Sequence, residues 1–316
     1  MAITIMPLGP GFAAEVHGID LREPASAQDA AAIHAGMDEF AVLVFHGEPL
    51  TPQQQLDFSK SLGEIEITAN VGLRAPQEYR LPDVFADISN LDQNERPLAR
   101  EDRRRLFSLG NRLWHSDSSF KAIPARYSLL HALRLTSRGG ETEFADMRAA
   151  YDALNVETRA QIEDLVCEHS QIYSRQQIGF FELSEEERAR FAPVRQRLVR
   201  THPLTGRRSL YLSSHAGGIV GWPVPEARAF LRDLIEHATQ REFVFRHHWQ
   251  VGDLVIWDNR QTMHRQRPYP AEEVRDMRRT TIAGDGPTVA QVPIGEFGDS
   301  APISARATIT EVSLTK

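Results

Sequence analysis

Three side chains stand out for chemistry they could perform together. His115 and Asp117, in Leu113-Trp-His-Ser-Asp117, are two residues apart, so in an extended segment both face one side and both reach one metal ion. The pair alone is a weak signal, because 12 His and 18 Asp in 316 residues supply about 0.7 such pairs by composition. His46-Gly47-Glu48 offers the same ligand chemistry, but it falls between a strand and a helix start, where Gly and Pro suit a turn. A second imidazole, His264, follows the strand-like Leu254-Val-Ile-Trp257 and the turn-prone Asp258-Asn259. A single His near a strand end is usually structural, and His202 and His215 read the same way.

Arg275 and Arg279 change the weight of His264. They are four apart and share one face if the strand of Arg278-Arg-Thr-Thr-Ile282 extends back to Arg275. Two inward guanidiniums are costly unless each meets an anion. Arg grips carboxylates through a bidentate fork, so two of them point to two carboxylate-bearing ligands. The plainer alternative is a surface pair neutralised by Glu272, Glu273 and Asp276. Two His and one carboxylate form the donor set of non-haem Fe(II) oxygenases, and a catalytic zinc with the same donors stays open. The arginines favour iron, because 2-oxoglutarate chelates a metal at one end and presents a free carboxylate at the other.

The rest of the chain must position these groups. A helix is expected from about Ala27 to Phe40, capped by Ser26, then a buried strand Ala41–Phe45, then a helix from Thr51-Pro52 to about Leu62. Residues 66–112 mix Pro, Asn, Asp and the charge run Arg100–Arg105, and read as a long excursion beside the site, lid-like in character. Strands are expected at 126–131, 141–144, 197–201, 209–213, 242–246, 253–257 and 278–283, with helices at 147–168 and 225–239. Many short strands with few helices predict a mainly β fold, a β-sandwich or jelly roll decorated by helices. Residues 286–316 read as a tail or arm with one strand-like run, Ala307–Val312. The net charge of -7 argues against a nucleic-acid partner, and no run of about 20 apolar residues predicts a membrane span. Met1-Ala-Ile-Thr-Ile5 reads as no secretory signal, and the one cysteine, Cys167, excludes an internal disulfide. A cytoplasmic protein is expected.

The pattern also carries a likeness. His115-x-Asp117, His264 147 residues further on, and Arg275 eleven beyond that resemble the taurine dioxygenase superfamily. The nearer likeness is to the 2,4-dichlorophenoxyacetate/2-oxoglutarate dioxygenases. Leu113-Trp-His-Ser-Asp-Ser-Ser-Phe120, Gly139-Gly-Glu-Thr-Glu-Phe-Ala-Asp-Met-Arg148, Trp257-Asp-Asn-Arg260 and Met277-Arg-Arg-Thr-Thr-Ile282 look like that family's signature blocks, over roughly residues 3–285.

The resemblance implies a double-stranded β-helix, a cupin-like barrel occupying residues 1–285, with Fe(II) at one mouth. It implies His115, Asp117 and His264 as metal ligands, Arg275 and Thr142 on the distal carboxylate of 2-oxoglutarate, and Asn111 as a cosubstrate or substrate contact. Arg279 matches the arginine for the substrate's acidic group. The implied reaction uses O2 and 2-oxoglutarate, giving succinate and CO2. It hydroxylates an aryloxyalkanoate next to its ether oxygen, releasing a phenol and glyoxylate. The partner is then a small aromatic carboxylate, and the chain a homo-oligomer. The alternatives are a taurine-type alkylsulfonate dioxygenase releasing sulfite, and a zinc hydrolase on the same ligands. The sulfonate relatives use a His from the excursion, and none lies between His46 and His115 here.

Overall fold

The computed structural model describes residues 3–68 and 79–291. Its largest layer is a seven-stranded sheet with the spatial order Thr4–Pro7, Ala13–His17, Val42–Phe45, Leu254–Asp258, Tyr127–Arg134, Asp276–Thr281 and Ala86–Asp87. All its pairings are antiparallel except that between Ala13–His17 and Val42–Phe45. A three-stranded sheet, Val244–His247, Thr142–Asp146 and Thr262–Gln266, lies against one face of it. Phe144 and Phe245 of the small sheet pack there with Val42, Val255, Trp257 and Met277 of the large one, and the rings of Phe144 and Trp257 are 5.4 Å apart. The architecture is mixed helix and sheet, and no closed barrel forms among the described residues.

The opposite face of the large sheet is covered by two helices that the local sequence specifies. In Ala27–Phe40, Ser26 Oγ accepts from the Asp29 amide, and Ala30, Ile33 and Met37 bury one stripe. In Pro52–Lys60, Thr51 and Gln54 form a capping box, and Phe58 enters the same core as Ile33, Phe45 and Ile256.

A single helix over 147–168 does not form. Met147–Asp152 and Val156–Ile162 are separate helices, because Asn155 caps the second by accepting from the Thr158 amide at 2.7 Å. The end of the segment, Val166–His169, is a strand between Ala216–Ile219 and Val194–Arg197. Pairing there satisfies backbone groups that an exposed last helical turn would leave to water. The helix expected at 225–239 forms as Val224–Ala238. Among its described residues the excursion holds a two-residue strand, the helix Arg103–Ser108 and a 3-10 turn at Leu109–Arg112. Of the tail, Thr288 and Gln291 hydrogen-bond Gln196, Arg197 and Arg195 along an edge strand. The strand-like run 307–312 lies outside the described residues.

Candidate metal centre and adjoining cavities

The small sheet decides which side chains converge. Strand pairing sets His264 opposite Phe144 and Gln266 opposite Thr142, so these four share its inner face. The outward Glu143 pairs instead with Arg246 at 2.5 Å and Arg265 at 2.7 Å. His115 is not in a regular strand, contrary to the extended-segment expectation. It makes one isolated bridge to His264, with reciprocal backbone hydrogen bonds of 3.0 and 2.8 Å. The chain then turns at Ser118, whose left-handed φ of 55° is unusual for a side chain with a Cβ. Asp117 is held before that turn by Asn259, whose Oδ1 accepts from the Asp117 amide at 3.0 Å.

The ligating atoms of His115, Asp117 and His264 lie within 4.8 Å of one another, and all three residues are buried. His115 Nε2 stands 3.9 Å from Asp117 Oδ1, and His264 Nε2 stands 3.7 Å from Oδ2. Among the described residues no other group of three His, Cys, Asp or Glu is gathered this way. His46 instead hydrogen-bonds Asp253 at 2.6 Å, and Glu48 is exposed.

Protonation suits a divalent cation. Burial foremost pushes His115 below the ordinary imidazole range, in spite of the neighbouring Asp117. Burial and then repulsion from His115 push His264 well below it. Burial opposes ionisation of Asp117, yet Arg279, His264, His115 and the Ser128 hydroxyl together hold its carboxyl at about 2. The cluster therefore offers two neutral imidazoles and a carboxylate, a donor set that an Fe(II) or Zn(II) ion takes. His115 Nδ1–H is spent on the Leu113 carbonyl at 2.7 Å, which directs Nε2 inward, while His264 Nδ1 is buried without a partner among the described residues. Ser128 Oγ donates to Asp117 Oδ2 at 2.7 Å and accepts from Asn259 Nδ2 at 3.0 Å, and Trp257 Nε1 donates to Asn259 Oδ1 at 3.0 Å.

Beside His264 a cavity of about 360 Å³, partly open to solvent, is lined by Thr142, Gln266, Trp257, Arg275, Asn111 and Arg279. Arg275 is 1 % exposed, and among the described residues no carboxylate pairs with it. Its guanidinium donates to the carbonyls of Ile88 at 3.1 Å and Gly140 at 3.3 Å, and among the described residues its Nε has no partner. Burial lowers its pKa to about 10, so the cation persists at neutral pH. Gly140 eases this approach: its φ is left-handed, and a Cβ there would stand 3.3 Å from Arg275 Nε. Thr142 Oγ1 accepts from Trp249 Nε1 at 3.0 Å, leaving its own proton for an acceptor in the cavity. The strand holding Arg279 begins at Asp276, with a register shift between Asp276 and Met277, so Arg275 precedes it. Both guanidiniums nevertheless line this cavity.

Arg279 has an additional contact: Nη1 donates to Asp117 Oδ1. Together with Asn111 and His115 it also borders a second, larger cavity. Val84, Phe85, Leu98 and Phe107 of the excursion line that space, as do Arg175 and His215. His202 is engaged by Arg260 Nη2 at 2.9 Å. Sequence reasoning missed Ser128, Trp249, Gln266 and Arg175. None carries a local signal, since only the fold brings them to the site; Asn259 at least stood inside a quoted block.

The taurine catabolism dioxygenase TauD, TfdA family model matches residues 4–281. The chain is 44% identical over 288 residues to an alpha-ketoglutarate-dependent 2,4-dichlorophenoxyacetate dioxygenase of Cupriavidus pinatubonensis, covering 90% of this chain and 99% of that protein. It is 34% identical to an (S)-phenoxypropionate/alpha-ketoglutarate-dioxygenase of Delftia acidovorans, over 89% of this chain and 95% of the other. Its structure is similar to the crystal structure of AAD-2 in complex with Mn(II) and N-oxalylglycine. That match has a TM-score of 0.89 at 54% identity, covering 92% of this chain and 100% of the other.

Proposed function

The chain belongs to the taurine catabolism dioxygenase TauD, TfdA family, and on that premise we propose that it hydroxylates aryloxyalkanoic acids next to the ether oxygen. It is a 2-oxoglutarate-dependent dioxygenase that uses Fe(II) and O2. One observation carries the reading beyond the family: a buried two-His, one-carboxylate cluster borders a cavity holding a buried guanidinium with no carboxylate partner.

When bound, the iron and 2-oxoglutarate supply the oxidising chemistry, with O2 and 2-oxoglutarate consumed as succinate and CO2 form. The protein's part is to bind, orient and keep water away. His115, Asp117 and His264 would hold the metal in this proposal. Arg275 and the Thr142 hydroxyl take the far carboxylate of 2-oxoglutarate, and Asn111 contacts cosubstrate or substrate where the two cavities meet. Arg279, already beside Asp117, takes the substrate's acidic group at the metal end. Apolar residues of the excursion receive the aromatic ring, which supports a lid-like role for that segment. For an aryloxyacetate the hydroxylated carbon is a hemiacetal that collapses to a phenol and glyoxylate.

The same proposal reads the two packed sheets as the faces of a double-stranded β-helix, and the chain as a cytoplasmic homo-oligomer. Among the described residues no helix is long and apolar enough to cross a membrane. The test is anaerobic reconstitution with Fe(II) and 2-oxoglutarate, followed by O2 and a panel of phenoxyacetates, phenoxypropionates and alkylsulfonates. Succinate matched by phenol release supports the reading. Sulfite release from sulfonates without phenol overturns the substrate class, and turnover by a zinc-loaded protein without O2 overturns the reaction.

A further inference from the structure

Arg175, like Arg275, is buried and pairs with no carboxylate among the described residues, and the site described above does not use it. It sits on the helix Gln171–Gln177, is 5 % exposed, and lines the larger cavity beside His215 and Phe107. Its one hydrogen bond among the described residues is from Nη1 to Ser174 Oγ at 3.1 Å, and Nε is buried with no partner. The cation lies 4.1 Å from the centre of the Phe107 ring. The chain has made room for it. A Cβ on Gly110 would stand 2.2 Å from Nη1, so a side chain there would push the guanidinium out of this position. It is also near the metal ligands: Arg175, His215, His115 and Asp117 line the same cavity, and the rings of His115 and His215 are 6.0 Å apart.

Burying a guanidinium without an anion is costly, and the Phe107 ring and the Ser174 hydroxyl offset only part of that cost. Arg279 differs, since Asp117 already answers its charge. We propose that Arg175 binds a carboxylate of the substrate, as an acid-recognition residue on a wall of the cavity separate from Arg279. The inference rests on the dioxygenase reading and adds a determinant of which acids the pocket accepts. The carboxylate has two sources: the one beside the ether carbon, or a second one borne by the aromatic ring.

The experiment compares wild type with Arg175→Met and Arg175→Lys, under anaerobic conditions with Fe(II) and 2-oxoglutarate present. Dissociation constants are measured by calorimetry for phenoxyacetate, 4-carboxyphenoxyacetate and the neutral phenoxyacetamide. Loss of a charge-assisted contact predicts about a 10- to 100-fold rise in Kd for the acid in Arg175→Met, no change for the amide, and partial recovery in Arg175→Lys. Weakening of both acids assigns the contact to the ether-side carboxylate, and weakening of the diacid alone assigns it to the ring; either supports the proposal. A merely structural arginine would lower Tm when replaced, whereas an unpaired buried cation replaced by Met leaves Tm unchanged or raised. Acid affinities that rise no more than the amide's overturn the role of Arg175. Wild-type protein that binds none of these acids overturns the aryloxyalkanoate reading itself, and this inference with it.

Discussion

Replacing Arg275 by Met removes the cation proposed to hold the far end of 2-oxoglutarate. The guanidinium presents a fork, and a carboxylate accepts two charge-assisted hydrogen bonds from it, each worth about 1.5–3 kcal/mol. A loss of about 3–6 kcal/mol, at about 1.4 kcal/mol per tenfold, weakens 2-oxoglutarate by roughly 10² to 10⁴. Stability of the ligand-free variant is a poor readout. Removing an unpaired cation is favourable, but the carbonyls of Ile88 and Gly140 lose their donor. The ligand-dependent difference cancels both effects. With anaerobic Fe(II) and 2-oxoglutarate at about 100 times the wild-type Kd, wild type gains about 2.7 kcal/mol, which is on the order of 5 °C in Tm. At the same concentration Arg275→Met gains at most about 0.4 kcal/mol, below about 2 °C. Thermal melts with and without 2-oxoglutarate read this directly, and Arg275→Lys should keep part of the gain. A full shift in the Met variant, or a 2-oxoglutarate KM within threefold of wild type, would refute the assignment.

Asp117→Ala removes the carboxylate of the cluster and leaves Arg279 Nη1 without its anion; anaerobic Fe(II) titration should show no specific site, and retained stoichiometric binding removes Asp117 from the ligand set. Ser128→Ala takes away the hydroxyl that donates to Asp117 Oδ2, and metal affinity should fall about 10- to 100-fold with the fold unchanged by circular dichroism. An unchanged affinity would mean that the carboxylate is oriented without it. Asp258 is fully buried against Arg260, which donates to both of its oxygens, and Gln261. Burial opposes its ionisation, but Arg260 and its hydrogen bonds hold the carboxyl well below the usual carboxylate range. Its folded pKa is depressed, so its contribution is present above the unfolded value of about 4 and is lost as pH falls below it. Asp258→Asn should lower stability by about 3–5 kcal/mol at pH 7, with the gap to wild type narrowing below about pH 4 in urea melts. A gap that stays constant down to pH 3 contradicts the linkage.

What the linear chain settled was chemistry and local conformation. Ser26 and Thr51 announce their helices because capping is decided within four residues, and apolar spacing exposes the stripes that Ile33, Met37 and Phe58 bury. His115, Asp117, His264, Arg275 and Arg279 were legible as a possible constellation because their side chains have few other uses together. Their meeting was not legible in that way. His115 reaches His264 through a single backbone bridge, and Asp117 is fixed by Asn259 and Ser128 from other segments. The break at Asn155 and the strand Val166–His169 were missed because pairing with distant strands outweighs a helical pattern of apolar residues. Arg175 and Ser128 carry no local mark at all. Whether a charge or hydroxyl is buried, and what it faces, depends on chain segments far away in sequence, and only folding brings those segments into contact.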